Sequence, residues 1–302
     1  MKKLLKVFTL VCILFSTTLN FAQEDGMSKN LIQTDSYKMY KPETSEAVLL
    51  LFGGFPEDAE RIEKEFPITD LANEKDVAVV YLNFNRKIWL KEEEKIQLAL
   101  SLQKIFTANN LPTDKIYIGG FSSGGTMALL ISSFLAENSE YNIEPQGVFI
   151  IDSPIDLSEL YHIANLNVER NFSEMAVEES AWMIQTFDEK LGNPNENIKP
   201  YETYSVFTFE TKNIQNLIAL ENTKLRFYTE PDKIWWKENM GADYEQMNAF
   251  HIKRLSEFLT SNNFNVEYIP TENRGFRSNG ESHPHSWSIV DKKELLQWIL
   301  EN

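Results

Sequence analysis

Six short apolar runs punctuate the chain: 47–52, 77–82, 116–118, 147–152, 225–229 and 266–269. The first four are continuously apolar, as strands buried on both faces are. The last two alternate more, which places them nearer an edge of the sheet. Helical patterning fills most of the gaps, at about 57–66, 92–107, 123–137, 243–261 and 289–300, with Asp243/Gln246 and Asp291/Glu294 as N-terminal caps of the last two. Strand and helix in repeated alternation predict an α/β fold, a mostly parallel sheet flanked by helices. One interval breaks the rhythm. Between Asp152 and Leu225 the pattern is helical without a strand: Ser173 to Leu191 ends at Gly192, and 203–220 forms a second, aromatic-rich stretch. An insertion of this size after a strand's carboxyl end sits over the site as a cap, here 155–221.

The first 22 residues read as an export signal. Lys2, Lys3 and Lys6 form a basic start, Val7–Phe15 is apolar, and Ala22 offers a small residue for cleavage. Ser16-Thr17-Thr18 interrupts the apolar run before it is long enough for a membrane span. Residues 23–44 are polar, a leader or an edge strand, and a domain runs from 45 to 302. Cys12, the only cysteine, leaves with the signal, so the exported chain has no disulfide and no thiol nucleophile. About 280 residues remain, enough for one large core. Losing Lys2, Lys3 and Lys6 takes the formal charge from −16 to −19. That acidity argues against nucleic acid and against anionic membrane surfaces as partners.

The chemistry-bearing motif is Gly120-Phe121-Ser122-Ser123-Gly124, which joins the strand at 116–118 to the helix at 123–137. A serine on so sharp a turn needs small residues two before and two after, and Gly120 and Gly124 supply them. The turn holds the Ser122 hydroxyl clear of the sheet.

On this motif, its strand-turn-helix setting and the residues that follow, the chain resembles the α/β-hydrolases from about residue 45 to its C-terminus. The resemblance implies a nucleophile, an acid and a histidine, in that chain order. Ser122 is then the nucleophile. The backbone N–H of Ser123 is one oxyanion donor, and Gly54 or Phe55, in Phe52-Gly53-Gly54-Phe55-Pro56, is the other. Phe52 stands where a HGGG-type histidine would be. The base is expected just before the last helix, in His283-Pro284-His285-Ser286-Trp287; the His-x-Trp step favours His285, with His283 as the alternative. His251 reads as a packed helix residue, and His162 lies at the start of the cap. The acid is expected after the strand at 225–229, where Asp232 comes first and Glu230 second; Asp152, ending the preceding strand, is the third choice.

His283-x-His285 has metal-like spacing, but a zinc site would need carboxylates to complete it, so no metal and no cofactor are assigned. Arg86, Lys87, Trp89, Trp235, Trp236, Arg274 and Arg277 follow strand ends or precede the histidines and are candidates to line a pocket. Aromatic surfaces with arginines suit a sugar ester, a peptide or a substrate carboxylate. Three functions follow in order: an exported serine hydrolase of carboxylic esters, a serine peptidase or amidase, and a non-catalytic binding protein of the same fold.

Overall fold

The computed structural model describes residues 31–84 and 87–301. Residues 1–22, read above as an export signal and including Cys12, and Arg86 lie outside the described residues. Eight strands form one sheet: β1 (Leu31–Gln33), β2 (Tyr37–Tyr40), β3 (Ala47–Phe52), β4 (Val77–Leu82), β5 (Ile116–Phe121), β6 (Pro145–Ile151), β7 (Lys224–Thr229) and β8 (Val266–Pro270). Their order across the sheet is β1-β2-β4-β3-β5-β6-β7-β8. β1 and β2 run antiparallel, and β3 to β8 are parallel. The chain moves outward from β3 to β4, then returns to place β5 on the other side of β3. Loops leaving β3 and β5 therefore part at a topological switch point, where parallel sheets open a crevice at their carboxyl ends.

The continuous apolar runs are explained by two cores. Val48, Leu50 and Phe52 of β3 face one layer, with α3 (Glu92–Asn109), α4 (Ser123–Glu137) and α9 (Asn248–Ser261). Ala47, Leu49 and Leu51 face the other, with α1 (Ala59–Glu65), α2 (Thr69–Asn73) and α10 (Lys292–Leu300). Successive side chains point to opposite faces, so a strand covered on both sides must be apolar throughout.

Two expectations differ from the structure, and a third segment, left open between two readings, takes a definite form. β7 alternates in sequence yet lies between β6 and β8, buried along most of its length. Its polar member, Arg226, is 7% exposed, stacks on Trp298 and pairs with Glu267 (2.8 Å) and Glu294. Paired in this way, a charged residue is tolerated inside a sheet and imitates an edge signal. Second, of the two readings of residues 23–44, the described residues 31–40 take the strand: β1 lies at the sheet edge and β2 between β1 and β4, with Met39 fully buried and Lys38 held by Glu60 and Glu63. Third, the stretch 203–220 is not one helix. α7 (Lys199–Tyr204) stops, a bridge pairs Thr208 with Asn213, and a 3₁₀ turn spans Gln215–Leu220. The chain is drawn out there because Phe207 N–H donates to Ile155 O and Phe209 N–H to the buried Asp156 carboxylate.

The remaining helices between β6 and β7 are α5 (Leu157–Arg170) and α6 (Glu174–Lys190), started by Asp156 and Ser173 caps. They pack through their own small core of Leu157, Tyr161, Phe187, Leu191 and Tyr201, joined by Trp89. After β7 comes α8 (Lys233–Met240). Among the described residues, no helix is long and apolar enough to cross a membrane.

His251, on α9, is 5% exposed, between the rings of Phe209 and Phe250. Burial, helped by nearby Arg254, lowers its pKa to about 4. The folded protein thus holds this ring neutral where the unfolded chain would protonate it. Its contribution to stability is full above about pH 6.5, is lost as pH falls and is gone below about pH 4. Urea unfolding of His251→Leu against wild type should shift by about 2–3 kcal/mol in the variant's favour between pH 7 and pH 4.

Candidate active site

Ser122 sits at the carboxyl end of β5, with φ 53° and ψ −129°, and caps the start of α4. A side chain at Gly120 would run into Gly124, 2.3 Å from its carbonyl, and one at Gly124 would lie 2.3 Å from Phe52 O. Only glycines allow β5, the turn and the loop after β3 to approach so closely. The Ser122 hydroxyl has no hydrogen-bond partner among the described residues, so no structural duty holds it. Catalytic hydrogen bonds often close only when substrate is bound.

Asp152 occupies the equivalent place on the next strand. Phe121 and Ile151 are in register, and each is followed by a residue with positive φ: Ser122 at 53° and Asp152 at 45°. Asp152 is 4% exposed, and its Oδ2 lies 2.6 Å from His285 Nδ1. With Nδ1 committed to a carboxylate, Nε2 is the nitrogen left to take a proton. The His285 ring packs on Phe121, the residue before Ser122, with centroids 4.4 Å apart. Serine, carboxylate and imidazole thus gather at one end of the sheet.

The carboxylate that the structure brings to His285 is not the one preferred from the sequence. Asp232, preferred from the sequence, accepts from Trp235 N–H (2.9 Å) as the N-cap of α8. Glu230, 5% exposed, accepts from Thr271 Oγ1 (3.0 Å), Arg274 N–H (2.9 Å) and Gly275 N–H (3.0 Å). It fastens the loop that leads to the histidines. Asp152, the third choice, is the one that meets His285.

His283, the alternative base, has no carboxylate partner among the described residues. Its Nδ1 accepts from His285 N–H (3.2 Å), and its ring packs 4.4 Å from that of Trp235. Burial first, then Arg277 and His285, lowers its pKa to about 3. It serves as a neutral prop beneath the backbone of His285.

The oxyanion candidates divide. Ser123 N–H is the first amide of α4, with no helix carbonyl behind it. Phe55 N–H donates to Ser123 Oγ (3.0 Å), so it is aimed into the site but engaged. Gly54 N–H is committed elsewhere, to Glu57 Oε2 (3.0 Å). The same oxygen accepts from Trp287 Nε1 (3.0 Å), which ties the loop after β3 to the loop carrying His285. Burial pushes the Glu57 carboxyl up, against the opposing effect of these two donors.

The pocket candidates scatter. Lys87 pairs with Glu94, Trp89 stacks on Phe187 within the inserted helices, and Arg274 approaches Asp291 at 3.8 Å. Trp236 faces His285 with ring centroids 6.5 Å apart, and Arg277 lies over Phe121. Sequence reasoning missed Trp182. This residue of α6 is 43% exposed and packs on Phe55, which is 45% exposed, at 5.2 Å. The inserted helices thereby touch the oxyanion loop. An apolar ring on the polar side of α6 was the available signal.

No family model matches the sequence, and no curated protein does. Solved structures share its fold. An esterase from Rhizomucor miehei superposes with a TM-score of 0.56 at 14% identity, over 89% of this chain and 82% of its own. An esterase/lipase from an uncultured bacterium gives 0.54 at 9% identity, over 89% and 84%. A Pyrobaculum calidifontis esterase gives 0.52 at 12% identity, over 87% and 80%.

Two variants separate the carboxylates without any assay of activity. In proton NMR, the downfield resonance of the His285 Nδ1 proton should disappear in Asp152→Asn and persist in Asp232→Ala. Asp232→Ala should instead cost about 1 kcal/mol in urea unfolding, through the lost cap.

Proposed function

With the α/β-hydrolase fold as premise, we propose that this chain is an exported serine hydrolase acting on carboxylic esters through Ser122, His285 and Asp152. The observation that carries the reading is the 2.6 Å contact of Asp152 with His285 Nδ1, one strand from a serine whose hydroxyl has no hydrogen-bond partner among the described residues. A carboxylate that fixes the imidazole tautomer is what a weak serine nucleophile requires. The leader at 1–22 supports export.

In the proposed reaction, Ser122 Oγ attacks the ester carbon while His285 Nε2 takes its proton. The carbonyl oxygen becomes an oxyanion, held by Ser123 N–H and by Phe55 N–H once that amide leaves Ser123 Oγ. The carbonyl re-forms, the bond to the alkoxy oxygen breaks, and His285 returns the proton to the departing alcohol. Water, deprotonated by the same nitrogen, then cleaves the acyl-enzyme and restores Ser122. Asp152 stays ionised and stabilises the imidazolium. The inserted helices, which reach the oxyanion loop through Trp182 and Phe55, act as a cap over the acyl group.

Labelling by a fluorophosphonate tests this. Ser122→Ala should abolish it, and His285→Ala and Asp152→Asn should slow it by roughly 10³-fold or more. Ser123→Ala should label within about tenfold of wild type, because the proposed donor is main chain and not hydroxyl. A folded wild-type protein that takes no label and cleaves no p-nitrophenyl ester would overturn the proposal.

A further inference from the structure

The loop that delivers His285 also delivers a guanidinium. Arg277 is fixed through its backbone: its N–H donates to Glu281 O (2.8 Å), and its carbonyl accepts from Gly280 N–H (2.9 Å). The next residue, Ser278, is bound by the buried carboxylate of Glu65 through its N–H (2.9 Å) and its hydroxyl (2.8 Å). So placed, the Arg277 guanidinium carbon lies 5.7 Å from the centre of the Phe121 ring. That ring packs 4.4 Å from His285 and immediately precedes Ser122.

The charge is half-buried and unspent. Glu57, Glu65 and Glu281 lie near enough to act on it electrostatically, but each nearby buried carboxylate has other partners. Glu57 holds Gly54 N–H and Trp287 Nε1, and Glu65 holds Ser278 and Arg61. Among the described residues, no carboxylate closes an ion pair with Arg277, and its side chain makes no hydrogen bond. Arg226 shows how this chain treats a buried guanidinium it needs for structure: two carboxylates close on it. Desolvation lowers the pKa of Arg277, a mark of donors removed from water without full compensation. The overall charge of −16 repels anions at long range, so an anionic substrate would need a local cation at the site.

We propose that Arg277 forms an anion subsite beside the nucleophile, and that the ester this site takes carries a carboxylate. The planar fork of the guanidinium matches a carboxylate through two parallel hydrogen bonds. The inference rests on the serine ester hydrolase reading and names its substrate class. Arg277 selects; it takes no part in bond-making.

The test compares p-nitrophenyl glutarate, which has one free carboxylate, with p-nitrophenyl valerate, of equal acyl length without it. Arg277→Met keeps an apolar stem over Phe121 and removes the charge. The glutarate-to-valerate ratio of kcat/KM should fall by roughly 10–100-fold in this variant, the loss appearing chiefly on glutarate, with partial recovery in Arg277→Lys. An unaltered ratio, or equal losses on both esters, would overturn the proposal in favour of a purely structural cation. A second arm needs no chemistry. On a Ser122→Ala background, calorimetry should show p-nitrophenyl glutarate binding roughly 10–100-fold more weakly when Arg277→Met is added, and equal binding refutes the subsite. If neither ester is cleaved but glutarate still binds through Arg277, the hydrolase reading fails and the subsite stands.

Discussion

Everything at this site depends on two adjacent strands that are each followed by a residue of positive φ. Ser122 and Asp152 each leave the parallel ladder with positive φ, a state that costs a non-glycine residue on the order of 1–3 kcal/mol. The sheet enforces it on both. Ser122 N–H still donates to Ile151 O, and Asp152 N–H to Tyr228 O, both at 2.9 Å. Each kinked residue is thus pinned at its amide by the neighbouring strand while its side chain is turned outward. Register does the rest, because Phe121 opposite Ile151 sets serine and carboxylate side by side.

A second regularity concerns the use of acid in this acidic chain. Several of the innermost carboxylates serve backbone amides before cations. Glu230 gathers Arg274 and Gly275, Asp156 gathers Ser158, Glu159 and Phe209, and Glu65 takes Ser278. Loops cannot satisfy their amides by ladder bonds, and a carboxylate with two oxygens can hold several at once. The histidine-bearing loop owes its shape to Glu230 and Glu65 in this way.

The sheet's parallel strands were legible because burial on both faces leaves a plain signature of unbroken apolar runs. The serine turn was legible because its glycines answer a steric need. The acid was harder to read. Asp232 follows a strand at a favourable distance, but Lys233–Met240 ending at Gly241 also carries a helix pattern, and an aspartate before a helix is a cap. Asp152 gives no such local cue; its pairing with His285 is a contact across 133 positions. Arg226 misled for the opposite reason, since its partners on β8 and α10 come later in the chain. Local pattern reports what a residue prefers, and long-range pairing decides which preference is met.

The two hydrogen bonds that Glu57 accepts, from Gly54 N–H and Trp287 Nε1, have a consequence for descent and for engineering. One carboxylate joins two segments more than 200 positions apart in sequence, the loop after β3 and the loop carrying His285. The two segments therefore form a single heritable part. A chimera that imports either loop from another protein of this fold inherits an orphaned carboxylate or an orphaned indole. Recombination that respects this protein must move both together, so the loop around Arg277 is free to vary only within the span that Glu57 does not hold.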